Sequence, residues 1–395
     1  MSPGPGRPGT VACSPGPSLS AVAKPRRIAL NALFLAPGQS GGTETYLRAL
    51  VPELARLRPH WQFAIVTTGR GATALSADGF DAFAEIVRLP AEEFRRLRRQ
   101  LAEQLLLPAL VRQRRFDLLH DLAGTGPIID PGLATVATVH DLIFKRIRTM
   151  GALSTWGMGF VIERVAKRAD AVIAPSQAAA QEIATALQLT PERITVVPHG
   201  CGRPPVTCPD APDALRDRYG LTGKRVVLCV AALRPHKNQA VLVRALRYLP
   251  SDVQLVLVGR TEPYAHELRE LAAQLAVASR VVITGSVSNE TLEGLWSLAS
   301  CAAFPTLAEG FGLPVLEAMA RGVPVACSDI AVLREVGGDV PTYFDPHDPQ
   351  AVAEAIELAM QRRDSGAAQA RAACFSWRRA AELTLAVYDR VLADS

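Results

Sequence analysis

Two carboxylates, those of Glu309 and Glu317, stand on either side of a glycine-rich turn and a proline. Pro314 suits the first position of a helix, because its missing N–H costs nothing there and its φ is already helical. The backbone N–H groups from Phe311 onward should then point into a cleft, where a helix start attracts phosphate. The carboxylates can accept hydrogen bonds from hydroxyls at two separate places on one ligand. The segment therefore predicts a site for a ligand with phosphate and hydroxyl groups.

The flanking sequence helps to decide between a ligand site and an ordinary surface loop. In the ordinary interpretation, Gly310 and Gly312 only make a turn, and Glu317 is a solvated helix residue. However, residues 302–306 and 322–326 are short apolar runs typical of buried strands. The ends of these strands would line the same crevice, which favours the ligand site, and a sugar nucleotide has the required chemistry.

The stretch from Glu309 to Met319 resembles the donor-site signature of the retaining glycosyltransferases of family 4, which have the two-domain GT-B fold. The similarity runs with gaps from Ile28 to the C-terminus, and it is most specific over residues 285–348. The resemblance implies an enzyme that transfers a sugar from a nucleotide diphosphate sugar.

The resemblance also implies roles for individual residues of the signature. In the family, the first carboxylate contacts the transferred sugar and the second contacts the ribose of the nucleotide, which here would be Glu309 and Glu317. Phe311, Gly312 and Leu313 would belong to the donor-binding segment. Within it, Phe311 and Gly312 would supply backbone hydrogen-bond donors.

Two cations, Arg234 and Lys237, follow a predicted strand that ends at Ala231. At the carboxyl end of a strand they would lie opposite the Glu309 loop, where Arg and Lys together can stabilise a leaving diphosphate. A solvated basic loop is the alternative. The family carries an Arg and a Lys here, but its commoner pattern places the Arg where this chain has Ala232. The role therefore transfers directly to Lys237 and only by proximity to Arg234.

His140 is a further predicted catalytic residue. It follows a predicted strand, residues 134–139, and family members with the sequence Thr-Val-His-Asp-Leu place this His near the donor sugar. A structural hydrogen-bonding role is the alternative. His120 poses the same question one strand earlier, without support from a family motif. His199 stands where relatives usually have Asn and is expected to be structural.

Gly41 and Gly42 match the glycine loop of the family, whose backbone approaches the diphosphate or the acceptor. They lie between a predicted first strand, residues 27–35, and a predicted helix. This order is typical of a strand–loop–helix unit. We therefore assign both glycines to the donor site, with a plain tight turn as the alternative.

Length and patterning predict the architecture. The chain has 395 residues, 49% of them hydrophobic and 21% charged, with a formal net charge of +5. This length suits two domains of similar size better than one core. Short apolar runs alternate with helical stretches, which is typical of parallel sheets covered by helices. We predict an α/β protein with the GT-B fold, in which two Rossmann-like domains face each other across a cleft.

The predicted domain boundaries follow from composition. Residues 1–25 are rich in Pro, Gly and Ser, and we expect a disordered tail there. We assign residues 26–200 to an acceptor-binding N-terminal domain and residues 219–375 to a nucleotide-sugar-binding domain. The proline-rich segment 201–218 is the predicted linker. The resemblance implies that residues 376–395 form a helix that crosses back onto the first domain.

Cysteine usage and hydropathy bear on the compartment. The seven cysteines are an odd number without paired metal spacing, and we expect reduced, mostly buried thiols. No signal peptide and no run of ~20 apolar residues is evident, so we expect a cytoplasmic protein. Residues 95–110 combine four arginines with leucines. A helix packed on the core is favoured there, while docking to the inner face of the plasma membrane stays open.

These observations predict a retaining glycosyltransferase that moves a hexose to a hydroxyl of a glycan or lipid-linked glycan. The sequences Arg-Pro-His-Lys-Asn and Thr-Val-His-Asp-Leu are similar to those of mannosyl- and rhamnosyltransferases of bacterial polysaccharide assembly, which favours GDP-mannose. The chain has no Asp-x-Asp motif in a strand context. We therefore expect no metal and no other cofactor, and we expect no nucleic-acid partner.

Three alternatives remain beside this prediction. A nucleotide-sugar epimerase or a sucrose-type synthase would share the fold and the donor site. A non-catalytic sugar-nucleotide-binding subunit would not need Glu309, Glu317 and Lys237 together. A Rossmann dehydrogenase is disfavoured, because no Gly-x-Gly-x-x-Gly turn follows the first strand.

Overall fold

The computed structural model describes residues 25–90, 96–146, 152–202, 206–261, 263–362 and 365–394. The predicted tail lies outside these residues except for Pro25, and so does Arg95 of the basic segment.

Seven parallel strands form the sheet of the first domain, and most of them are buried. They are β1 (Arg27–Asn31), β2 (Gln62–Thr67), β3 (Glu85–Arg88), β4 (Leu118–Asp121), β5 (Ala134–Thr138), β6 (Ala171–Ala174) and β7 (Ile194–Val196). Their order across the sheet is β3-β2-β1-β4-β5-β6-β7. The order reverses between β1 and β4, so the loops after these strands diverge and leave a crevice at the carboxyl edge.

Helices cover both faces of this sheet. They are α1 (Gly42–Leu57), α2 (Gly69–Ala77), α3 (Arg96–Gln113), α4 (Ile143–Arg146), α5 (Ala152–Arg168) and α6 (Gln177–Leu187), with 3-10 turns at Phe80–Ala82 and Pro191–Arg193. Helix α1 packs on the face that carries Leu30 and Ile65. Helix α3 packs on Ala29 of the opposite face, and α5 packs on Ala137 of that same face.

Six parallel strands form the second sheet. They are β8 (Arg225–Val230), β9 (Val253–Val258), β10 (Val281–Gly285), β11 (Ala299–Phe304), β12 (Val325–Ser328) and β13 (Thr342–Phe344). Their order is β10-β9-β8-β11-β12-β13. The order reverses between β8 and β11, and this switch point places the loop that contains Lys237 beside the loop that contains Glu309.

The helices of the second half complete the molecule. They are α7 (Pro212–Tyr219), α8 (Gln239–Ala245), α9 (Tyr264–Gln274), α10 (Asn289–Leu298), α11 (Leu313–Ala320), α12 (Ala331–Gly337), α13 (Pro349–Gln361), α14 (Ser365–Ala373) and α15 (Trp377–Ala393), with 3-10 turns at Pro235–Lys237 and Ala278–Arg280. None of the helices in the described ranges is long and apolar enough to cross a membrane.

Helix α15 crosses back onto the first domain, as the resemblance implies. Its apolar face, with Leu385 and Tyr388, joins the core that α1 makes with the first sheet. The buried imidazole of His120 lies 2.6 Å from the hydroxyl of Tyr388 and 2.7 Å from that of Thr138. His120 therefore ties α15 to the sheet, which is a structural role.

Two local differences from the predictions have clear causes. The first strand ends at Asn31 instead of residue 35, because Asn31 Oδ1 accepts a hydrogen bond from the N–H of Leu33 and turns the chain. Helix α7 occupies the second half of the predicted linker, residues 201–218. A proline at its start and the buried side chain of Leu215 make that segment helical.

Candidate active site

The loops after β8 and β11 are hydrogen-bonded to each other at the switch point. The 3-10 turn at Pro235–Lys237 ends at Asn238, whose φ of 55° reverses the chain. The carbonyl of His236 in this turn accepts a hydrogen bond from the N–H of Leu307, at 2.9 Å, and Thr306 Oγ1 lies 3.2 Å from the same oxygen and 2.9 Å from the carbonyl of Ala308. The bond from Leu307 joins the two loops into one unit.

Lys237 and Glu309 meet within this unit. The Lys237 Nζ atom lies 2.6 Å from Glu309 Oε1, and the two side chains are 19% and 15% exposed. They border a cleft lined by Cys229, Ala231, Lys237, Phe304, Pro305, Thr306, Glu309, Gly312, Pro314, Val315 and Leu333. Because most of the wall is apolar, charges act there at a lower effective dielectric constant than in water.

The start of α11 forms another side of the cleft. Gly312 is the residue before the helix, with a φ of 99°, and Pro314 is its second residue, one position later than the sequence predicts. The first N–H groups of a helix have no partner within it, so anion binding at this helix start stays a prediction that the geometry allows. A side chain at position 312 would be strained, because L residues rarely adopt a φ of 99°, and Leu333 would have to shift from a Cβ only 2.6 Å away.

Gly310 packs directly against the first domain. A Cβ at position 310 would lie 2.0 Å from the carbonyl oxygen of His140, at the end of β5. The loop that carries Glu309 therefore runs directly against the first domain. Only glycine allows this backbone contact.

Glu317 lies one turn inside α11, and its side chain is buried. Its carboxylate lies against the linker, since a Cβ at Gly202 would be 2.0 Å from Glu317 Oε1. Burial, and then the charge of Glu317, raises the pKa of the neighbouring Cys201. Glu317 therefore lies at the linker, and its contact with the ribose stays a prediction.

His140 is half-buried at the domain junction, and both of its ring nitrogens have partners. Its Nε2 atom lies 2.8 Å from the carbonyl oxygen of Leu122, and its Nδ1 atom lies 3.2 Å from His199 Nε2. A carbonyl oxygen only accepts, so His140 carries its proton on Nε2, and His199 Nε2–H donates to His140 Nδ1.

Burial determines the protonation state of both imidazoles. It lowers the pKa of His140 to about 4 and the pKa of His199 well below its usual value. Both rings are therefore neutral at pH 7. A substrate contact through the His140 ring must replace one of the two hydrogen bonds. The backbone oxygen of His140 already touches the loop between β11 and α11, residues 305–312, which we call the donor loop after its predicted role.

Asp141 is a site residue that the sequence interpretation did not assign. Burial raises its pKa, the charge of Lys237 lowers it, and the charge of Glu309 raises it. Asp141 Oδ1 accepts a hydrogen bond from the N–H of Ile143, at 3.1 Å. In the sequence, only its position next to His140 suggested a role for Asp141. Its nearness to the loops of the second domain depends on the tertiary structure.

The predicted glycine loop lies beside the donor loop. Gly41 precedes α1 with a φ of 59°, and a Cβ at Gly42 would lie 3.9 Å from Leu313 Cδ1. From the second domain, Arg260 donates a hydrogen bond to the carbonyl of Gln39, at 3.3 Å. The structure therefore brings Gly41, Gly42 and Leu313 together across the cleft.

Aromatic rings fill the junction behind the donor loop. The ring of Phe311 lies 5.0 Å from that of His199, and His199 stacks on Trp377 at 5.5 Å. The side chain of Phe311 is thus part of the core, which leaves its backbone for a ligand. Arg234 lies one residue before the 3-10 turn that carries Lys237 and is half-buried.

Two facing Rossmann-like domains, with a helix start and a cation–carboxylate pair at the switch point, define the class of two-domain α/β proteins with a cleft at the carboxyl ends of their strands. Two family models match the chain, Glycosyltransferase Family 4 over residues 40–201 and Glycosyl transferases group 1 over residues 213–374.

Two curated relatives are mannosyltransferases by name. Serotype-specific mannosyltransferase WbdA of Escherichia coli is 32% identical over 279 residues, which is 66% of this chain and 34% of WbdA. MMP alpha-(1->4)-mannosyltransferase of Mycolicibacterium hassiacum is 31% identical over 307 residues, 71% of this chain and 72% of that protein. The chain belongs to glycosyltransferase family 4.

Solved structures show the same fold. Sucrose-phosphate synthase from Thermosynechococcus elongatus aligns with a TM-score of 0.73 and 23% identity, over 94% of this chain and 100% of that one. HepE of Anabaena, in complex with UDP and glucose, aligns with a TM-score of 0.72 and 22% identity, over 92% and 100%. The predictions of the family and of an α/β GT-B fold are confirmed.

Proposed function

We propose that the protein is a retaining glycosyltransferase that moves a hexose from a nucleotide diphosphate sugar to a hydroxyl of a glycan or lipid-linked glycan. The observation that carries the proposal is the pair of Lys237 and Glu309, 2.6 Å apart beside the start of α11. A cation and a helix start suit a diphosphate, and a carboxylate suits sugar hydroxyls. Retention of configuration is what membership of the family supports.

In this proposal the ion pair exchanges partners when the donor binds. The diphosphate takes the ammonium group of Lys237, with Arg234 beside it, and the Glu309 carboxylate turns to the hydroxyls of the sugar. As the bond to the sugar breaks, the cations and the N–H groups of Phe311 and Gly312 stabilise the charge on the leaving diphosphate. Glu317 holds the ribose one helical turn away.

The donor is proposed to be GDP-mannose, because two curated relatives are named as mannosyltransferases. A thermal-shift comparison of GDP, UDP and ADP sugars tests this, since a ligand at 100 times its Kd adds about 2.7 kcal/mol of stability. GDP-mannose should give the largest shift. A larger shift with a UDP sugar, such as the ligand class bound by HepE, would reassign the donor.

Product analysis separates transfer from the alternatives. With donor and an acceptor glycan, a transferase yields an extended glycan and free nucleoside diphosphate. An epimerase changes the donor without any acceptor, and a sucrose-type synthase requires a free monosaccharide acceptor. Donor binding without turnover on any acceptor would instead favour a non-catalytic subunit.

Metal independence is part of the proposal. The described residues contain no group of three or more His, Cys, Asp or Glu side chains that could hold a metal ion, and Lys237 and Arg234 are available to neutralise the diphosphate. Turnover should persist in excess EDTA. Loss of turnover in EDTA that Mg²⁺ or Mn²⁺ restores would contradict this part.

We further propose that the protein works at the cytoplasmic face of an anionic membrane. Six large apolar side chains, which we call the apolar patch, are exposed on α3, on α5 and in the loop after β4: Leu101, Leu105, Leu106, Ile129, Trp156 and Phe160. Helices α3 and α5 pack on the same face of the first sheet. The Arg164 guanidinium lies 5.3 Å from the ring of Phe160, and aromatic rings beside cations suit a bilayer interface.

Flotation with vesicles tests the apolar patch. The protein should float with vesicles that contain phosphatidylglycerol, and the double variant Trp156→Ala, Phe160→Ala should stay behind. Tyr248→Ala with Leu358→Ala is the matched control, because these exposed apolar residues lie on the second domain. Equal flotation of both double variants would contradict the assignment.

A further inference from the structure

The first turn of α6, in the first domain, contacts the donor loop of the second domain. Ser176 precedes this helix, is fully buried, and its Oγ accepts a hydrogen bond from the N–H of Ala179, at 3.0 Å. The same hydroxyl donates to the carbonyl oxygen of Gly310, at 2.9 Å. A hydroxyl has one hydrogen to donate. Ser176 therefore accepts the capping hydrogen bond through a lone pair of its oxygen and donates its hydrogen to the carbonyl oxygen of Gly310.

Helix α12 holds the same turn of α6 from the other side. The Glu335 carboxylate accepts hydrogen bonds from the N–H of Gln177, at 2.7 Å, and from the N–H of Ala178, at 3.0 Å. Helix α12 also supplies Leu333 to the wall of the cleft. The start of α6 is therefore held between the donor loop and a helix that lines the donor site.

Gly310 is consequently fixed by the first domain at two points. Its carbonyl oxygen is bonded to Ser176, and its Cα is packed against the carbonyl oxygen of His140. Glu309 is the preceding residue, so the direction of its side chain depends on how this peptide is held. Ser176 is thus connected to Glu309 by one backbone step.

We propose that Ser176 is a positioning residue that acts through Glu309. When the domains are closed, the bond from Ser176 to Gly310 holds the Glu309 carboxylate where it meets the donor sugar. The inference rests on the proposed contact of Glu309 with that sugar. Nucleotide binding by Lys237 and Glu317 does not depend on it.

Calorimetry with GDP and GDP-mannose separates these parts. The ratio of the two dissociation constants reports the contribution of the sugar to binding. In Ser176→Ala this contribution should fall roughly tenfold, the order expected when one buried hydrogen bond is lost, while the Kd of GDP stays unchanged. Ser176→Thr keeps a hydroxyl and should stay within about threefold of the parent.

A matched control removes a helix cap elsewhere. Ser288 caps α10 by accepting from the N–H of Thr291, at 3.2 Å, and its helix belongs to the second domain. Ser288→Ala should lose thermal stability to an extent similar to Ser176→Ala and keep the parent sugar contribution. If Ser288→Ala loses this contribution as well, the effect reflects general destabilisation and the inference fails.

The decisive comparison is made in a Glu309→Gln background. There, Ser176→Ala should change the contribution of the sugar to binding less than twofold, because the Glu309 carboxylate that Ser176 orients is no longer present. An equal tenfold loss in both backgrounds overturns the inference and leaves the role of Glu309 intact. If Glu309→Gln alone keeps the full sugar contribution, the proposed sugar contact of Glu309 fails, and the inference falls with it.

Discussion

In the cleft, Lys237 has a carboxylate partner in the absence of any donor, since Glu309 Oε1 lies 2.6 Å from its ammonium group. A partly buried cation without a partner would be costly. In the proposed reaction, Glu309 pairs with Lys237 until a phosphate replaces it, and the replacement releases the carboxylate for the sugar. One pair of residues would thus link the arrival of the diphosphate to recognition of the sugar.

Opposite changes in nucleotide binding should follow from this exchange. Glu309→Gln removes the competitor for Lys237, so bare GDP should bind at least as tightly as to the parent, while turnover falls. Glu317→Ala removes the ribose contact and should weaken binding of GDP. Isothermal titration with GDP measures both, and equal losses in the two variants would contradict the division of roles.

A second prediction concerns the two cations. Removal of one charge-stabilising donor from a site of this kind costs about 2.7 to 4 kcal/mol, or roughly 10² to 10³ in kcat. Lys237→Ala and Arg234→Ala should each show a loss of that order. The double variant should lose less than the product, because both cations act on one charge. If Arg234→Ala turns over within about threefold of the parent, Lys237 and the start of α11 carry the diphosphate alone.

The residues of the cleft were easier to predict from the sequence than the residues with which they form hydrogen bonds. Glu309, Lys237 and Gly312 occur within short motifs whose chemistry is local, so spacing and resemblance were enough to select them. The bond between His140 and His199 joins residues 59 positions apart, and no local pattern encodes such a contact. Ser176 could have been recognised as a helix cap, but not as a donor to Gly310.

At the scale of elements, the end of β5 and the start of α6 hold the donor loop between them. In Gly310→Ala the new Cβ would lie only 2.0 Å from the carbonyl oxygen of His140, so the loop must shift. Displacement of a catalytic group by about 1 Å can cost roughly hundredfold in rate. We expect a loss of that order in kcat, with a folded protein by circular dichroism.

Gly157→Ala is the control for this prediction. Gly157 lies in α5, and a Cβ there meets no atom within 4 Å. Alanine at such a helical position should keep turnover and leave stability unchanged or slightly raised. If Gly310→Ala retains parent turnover, the contact with His140 does not position the donor loop.

Buried strands were predicted better from their hydrophobic pattern than short strands at the edges of the sheets. The strand before Lys237 was predicted to end at Ala231, and β8 ends one residue earlier, at Val230; the prediction came close because residues 226–230 are all apolar and lie within a buried sheet. β3 and β13 were missed. Each lies at the edge of its sheet and is only three or four residues long, so each has too few buried side chains to produce a pattern.

At the scale of the whole molecule, neutral histidines at the domain junction make stability depend on pH. Burial lowers the pKa of His140 to about 4 and that of His199 well below 6.5. The unfolded chain takes up these protons below pH 6.5 while the folded protein does not, so stability present above that pH is lost as the pH falls. Buried carboxylates with raised pKa, such as Asp121, act in the opposite direction.

His199→Asn isolates one of these contributions. Asn can still donate a hydrogen bond to His140 Nδ1 but takes up no proton. The difference in unfolding free energy between pH 7 and pH 5 should shrink by about 2 kcal/mol relative to the parent, since each pKa unit is worth about 1.4 kcal/mol. Chemical denaturation at the two pH values measures it. An unchanged difference would mean that His199 titrates alike in both states.

Because of helix α15, the two domains should bear a stretching force one after the other. Strand β1, near one end of the described chain, and α15, near the other, share one hydrophobic core, so the second domain is topologically an insertion within the first. A stretching force applied between residues 26 and 393 would be borne by the first domain alone. The second domain would bear force only after α15 had detached from the first domain, so the first domain would unfold before the second.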